Sequence, residues 1–91
     1  MIKRYHIIAE GRVQGVGMRG FCIMNANQLH LTGSVRNMDN GMVEIFAQGE
    51  ESHLRLFLST VEEGNRWIRV DSLSVKEVPI VEGEREFSYI W

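Results

Sequence analysis

The sequence predicts an α+β fold of order β-α-β-β-α-β, the ferredoxin-like arrangement, in which two helices pack on one face of an antiparallel sheet. A fifth strand is expected at the C-terminal end. Three observations lead there. A strand-like alternation near residue 5 passes through a glycine-rich loop into helical spacing. The pair Asn40-Gly41 then separates two short strand-like runs. After Gly49 the apolar period becomes helical again, and two more strand-like runs follow.

The elements follow in order. "YHIIAE" (5–10) places Tyr5, Ile7 and Ala9 on one face of a strand. In "GFCIMNANQLHL" (20–31), Cys22, Ala26 and Leu29 fall at i, i+4, i+7, with Ile23 at the margin of that helical face. "SVRN" (34–37) and "MVEIFAQ" (42–48) read as a hairpin whose Asn-Gly turn asks for positive φ at both central residues. Leu54, Phe57, Leu58 and Val61 then mark a second helix, with Glu50 and Glu51 near its start and Gly64 just past its end. "VDSLSVKEVPI" (70–80) and "EFSYIW" (86–91) complete the set, and Pro79 assigns its segment to an edge or a strand end. The C-terminal strand has two readings, as support for the sheet or as a wall of the site.

Ninety-one residues make one domain, 1–91, with a single core. Hydrophobic residues are 44% and charged ones 24%, the composition of an ordinary globular protein. The net charge of −2 argues against a general nucleic-acid binder. Residues 1–39 carry five basic against two acidic groups, a balance of +3, and residues 40–91 carry five against ten, a balance of −5. An anion site is therefore expected in the first half. Cys22 is the sole cysteine, which leaves no internal disulfide, and it reads as a small core residue. No apolar run approaches the roughly 20 residues that span a bilayer, and "MIKRYHIIAEG" lacks the pattern of a signal peptide. The expectation is a cytoplasmic monomer with no membrane and no nucleic-acid partner.

The glycine-rich loop "GRVQGVGMRG" (11–20) carries the chemistry. Gly15 and Gly17 allow successive backbone N–H groups to turn toward one point, a nest for an anion. The following helix adds unpaired N–H donors and the positive end of its dipole. Arg19 stands where that helix begins, and its planar, permanently charged fork suits a phosphate. The loop has no Lys-Ser or Lys-Thr of a Walker loop and misses the dinucleotide spacing G-x-G-x-x-G. No arginine follows Cys22 in a loop of its own, which sets aside a cysteine phosphatase. A structural glycine-rich connection with a surface arginine remains the plain alternative at this point.

"GRVQGVGMR" (11–19), followed by "GSVRNMDNGMVE" (33–44), resembles the acylphosphatase family, whose two motifs run G-x-V-Q-G-V-x-[aromatic]-R and G-x-V-x-N-x-x-D-G-x-V-E. The resemblance covers residues 11–49. It implies hydrolysis of a small-molecule acyl phosphate to a carboxylate and inorganic phosphate, without metal or cofactor. It assigns phosphate binding to Arg19 and positioning of the attacking water to Asn37. Gln14, Gly15, Val16, Gly17 and Met18 would supply backbone donors to the phosphate. Three positions depart from the pattern: Met18 replaces an aromatic residue, His30 a helix-ending glycine, and Asn40 an aspartate.

The residue inventory agrees with an activated substrate. His6, His30 and His53 lack metal-ligand spacing, and the sequence offers neither paired catalytic carboxylates nor a nucleophile with its base. Phosphoryl transfer from an acyl phosphate needs mainly positioning and charge stabilisation, because the leaving carboxylate is stable. Arg12 and Arg36 read as solvated or ion-paired charges. Two other classes compete. A non-catalytic phosphate- or carbamoyl-phosphate-binding module would use the same cradle but would be free to lose Asn37. An RNA-binding domain shares the element order, yet needs exposed aromatics on a basic sheet face. Here only Tyr5 and Phe46 are on offer, with acids beside them.

Overall fold

A computed structural model describes residues 1–90. Its elements are β1 (Ile2–Arg12), α1 (Met18–Gln28), β2 (Thr32–Asn37), β3 (Val43–Glu50), α2 (Glu51–Glu63), β4 (Arg69–Val78) and β5 (Phe87–Ile90). The expected order is therefore present, fifth strand included, although Trp91 of the expected 86–91 strand lies outside the described residues. The sheet order is β4-β1-β3-β2-β5. Four strands pair antiparallel and β5 joins β2 in parallel, so the sheet is mixed rather than wholly antiparallel. The parallel edge follows from the long connection after β4, which carries the chain to the opposite side of the sheet before β5 begins. Among the described residues no helix is long and apolar enough to cross a membrane.

Register sorts the side chains. Ile7 faces Ile45, and Ile45 faces Val35; Ala9 faces Val43, and Val43 faces Asn37. These inward rows meet Cys22 and Ala26 of α1 and Leu54, Phe57 and Val61 of α2 in one buried core. Phe57 touches Phe87 edge to face, with centroids 6.0 Å apart, which ties β5 to the second helix. Burial pushes the Cys22 thiol up to about 12, so it stays protonated and packs as an apolar group.

The outward rows are polar and interlocked. Arg4 donates to Gln48 at 3.1 Å and to Glu84 at 2.8 Å, and Glu84 also accepts from the Thr32 hydroxyl at 2.7 Å. Gln48 exchanges two hydrogen bonds with the Val81 backbone, at 2.8 and 3.0 Å. Residues 79–86 thus form a strap across the helix-free face, fastened to β3 at Val81 and to β1 and β2 at Glu84. Glu44 pairs with His6 at 2.8 Å and with Arg36 at 2.6 Å. Burial raises its carboxyl, but those two partners outweigh the effect and hold it below the usual carboxylate value. Phe46 lies stacked on His6, centroids 4.5 Å apart, with the Arg4 guanidinium 5.1 Å from its centroid. Tyr5 packs against the core instead. Neither Tyr5 nor Phe46 therefore offers the open aromatic platform of an RNA binder.

Two turns refine the sequence reading. The β2–β3 hairpin is not a two-residue type I′ turn: Gly41 takes φ +89°, while Asn40 does not take positive φ. Gly41 N–H bonds to Met38 O at 3.2 Å, and Met42 N–H bonds to the Asn40 side chain at 3.0 Å. The side-chain bond stabilises the longer loop form, in which glycine alone is left-handed. After α1, Leu31 N–H reaches back to Ala26 O at 2.9 Å across His30, which sits at φ +57°. This is a Schellman end with histidine where glycine is favoured. His30→Gly is expected to stabilise the protein by about 1 kcal/mol, a rise of roughly 4–8 °C in Tm for a domain of this size. An unchanged Tm would show that the contact of His30 with the His53 ring, 6.4 Å between centroids, offsets the strain.

Candidate active site

β1 ends at Arg12, the next residue Val13 is buried, and the chain then turns outward through Gly15 at φ +73° and Gly17 at φ +83° before α1 starts at Met18. Neither glycine is crowded: a Cβ would meet nothing within 4 Å at either position. Glycine is required there by the left-handed backbone rather than by space. Gly17 is the N-cap of α1, no side chain caps the helix, and its first turn contains no acid. The positive helix end is therefore not offset by a neighbouring carboxylate of its own first turn.

Gln14 turns its side chain away from this bend. Its amide donates to Met38 O at 2.7 Å and to Met42 O at 2.9 Å. These carbonyls flank the hairpin loop that follows Asn37, so Gln14 braces the glycine loop against the segment carrying Asn37. Gln14→Ala leaves both carbonyls without that donor and is expected to cost about 1–2 kcal/mol, read as a lower urea midpoint. An unchanged midpoint would mean that water replaces the amide on both carbonyls.

Between the loop and the sheet edge lies a cavity of about 270 Å³, lined by Gly15, Gly17, Met18, Arg19 and Asn37 together with Val13, Gly20, Ile23 and Tyr89. The residues expected at the site from α1 and β2 thus meet, although Arg19 and Asn37 come from different elements. Met18 lines the cavity while its side chain is buried in the core, anchoring the first turn of the helix. Gln14 and Val16 do not line it; Val16 packs against the core from the loop. Arg36, on the opposite face of β2, is held by Glu44, and Arg12 is exposed at the end of β1.

Tyr89 was not singled out by its sequence. It projects from β5 on the helix side, in register with Val35, and its ring lies 5.3 Å from the Arg19 guanidinium carbon. Alternation along "FSYI" puts Phe87 and Tyr89 on one face, but nothing local to that stretch says that β2 is its neighbour. Among the described residues no group of three or more His, Cys, Asp or Glu side chains is placed to hold a metal ion.

The fold and cavity define a class, a small α+β domain whose first strand–helix turn forms a glycine-and-arginine cleft suited to an oxyanion. The acylphosphatase family model matches residues 5–89. Acylphosphatase from Clostridium acetobutylicum is 40% identical over 91 residues, covering all of both chains. The Bacillus subtilis acylphosphatase is 43% identical over 88 residues, 97% of each chain. A crystal structure of acylphosphatase from Bacillus subtilis superposes with a TM-score of 0.93 at 43% identity and full coverage of both. The whole chain also matches 12% of full-length HypF, crystallised in a phosphate- and nucleotide-bound form, with a TM-score of 0.90 and 30% identity. The chain belongs to the acylphosphatase family, enzymes that hydrolyse acyl phosphates.

Proposed function

We propose that the cavity hydrolyses acyl phosphates without a metal or cofactor, with the phosphate seated in the glycine loop. The observation that carries this reading is the convergence of Gly15, Gly17, Arg19 and Asn37 on one cavity of about 270 Å³. The backbone donors of Gly15, Gly17 and Met18 at the start of α1 would face the phosphate oxygens, and Arg19 supplies the charge. Asn37 holds a water in line with the bond to the acyl oxygen. The water oxygen bonds to phosphorus, the bond from phosphorus to the acyl oxygen breaks, and the carboxylate departs with its electron pair. The water's proton passes to a phosphate oxygen, so no protein base is needed. The apolar side of the cleft at Ile23 accepts the acyl group, which favours broad acyl tolerance.

The test is benzoyl phosphate hydrolysis by the wild-type protein in excess chelator. Turnover that persists supports the metal-free reaction. A folded protein that binds phosphate but does not turn over would instead be a binding module.

A further inference from the structure

We propose that Tyr89 is a positioning residue for Arg19, holding its guanidinium in the orientation that receives the phosphate. The proposal rests on the reading of Arg19 as the phosphate anchor. Arginine has a long, rotamer-rich side chain, and Arg19 sits on the second residue of α1, at the rim of the cleft. Its guanidinium carbon lies 5.3 Å from the Tyr89 centroid, inside the range in which an aromatic face attracts a cation. The attraction acts between the ring face and the whole cation, so it steadies the group while leaving guanidinium N–H donors for an anion.

The placement of Tyr89 suits this task better than a packing task. The residue is 44% exposed on an edge strand, whereas its neighbour Phe87 is buried and carries the core contact of β5. Tyr89 stands in register with Val35, two residues before Asn37 on β2. One strand pair therefore sets both the support beneath Arg19 and the position of Asn37. The relative placement of phosphate anchor and water is then set by the sheet as well as by the Gln14 brace of the loop.

The experiment is titration of inorganic phosphate into the wild type, Tyr89→Ile, Tyr89→Phe and Tyr89→Trp, with benzoyl phosphate kinetics alongside. Isoleucine keeps strand propensity and removes the ring. It is expected to raise the phosphate Kd about two- to fivefold and to lower kcat at least as much, while phenylalanine retains wild-type values. Wild-type affinity in Tyr89→Ile, or an equal loss in Tyr89→Phe, would overturn the proposal. If Tyr89→Ile does not fold, Tyr89→Trp decides: its stronger aromatic face should bind phosphate at least as tightly as the wild type, and weaker binding overturns the proposal. A wild type that binds phosphate without turnover contradicts the enzymatic reading alone, because the Tyr89 comparison is made on affinity. A wild type that binds no phosphate overturns both.

Discussion

Arg19→Ala is expected to lower benzoyl phosphate turnover by about 10³–10⁵ while leaving the fold intact, the loss associated with removing an arginine from a phosphoryl-transfer site. The side chain lines the cleft at the N-terminal end of α1, and that helix end carries neither a capping side chain nor a first-turn acid. Backbone donors would remain, but they cannot replace a permanent charge that forks onto two phosphate oxygens. The loss should appear in phosphate affinity as well as in rate. A folded Arg19→Ala protein with near wild-type turnover would remove Arg19 from the mechanism.

Asn37→Ala should lose less and lose it differently. Removing one preorganised polar group from an active site costs about 10²–10³ in kcat. Asn37 is the last residue of β2, facing Val43 in the register and opening onto the cavity opposite the loop. Its proposed partner is the water, so inorganic phosphate should bind the variant as it binds the wild type. The pair of variants separates the two roles: Arg19→Ala weakens phosphate binding, and Asn37→Ala slows the reaction with binding kept. A parallel loss of phosphate affinity in Asn37→Ala would make it part of the phosphate cradle instead.

The helices and the site were legible to different degrees, for physical reasons. The second helix was plain in sequence because Leu54, Phe57, Leu58 and Val61 form one stripe against the core. The first begins two residues earlier than its apolar spacing suggests, since its N-cap is the bare glycine at 17 and no capping side chain marks it. β1 is longer than its apolar alternation because Lys3 and Arg4 look like loop residues until their partners Glu51 and Glu84 are in place. The hairpin was visible but its turn was not, because the side-chain bond from Asn40 to the Met42 amide lies outside the two-residue pattern. Arg19 and Asn37 were legible through two linked motifs. Tyr89 was not, because its role depends on β5 lying beside β2, a pairing made across the whole sheet.

That pairing also sets how the cleft can fail. β5 is four residues long, the shortest element of the fold, and is delivered to its slot by the strap that begins beyond the opposite edge. Proteins open in cooperative pieces of unequal stability, and a short edge segment is a natural candidate for the least stable piece. Fraying of β5 would leave β1, β3, β2 and both helices assembled while stripping one wall from the cleft. Catalytic competence would then be lost at milder stress than helical content, and the working lifetime of the enzyme would be that of its briefest strand.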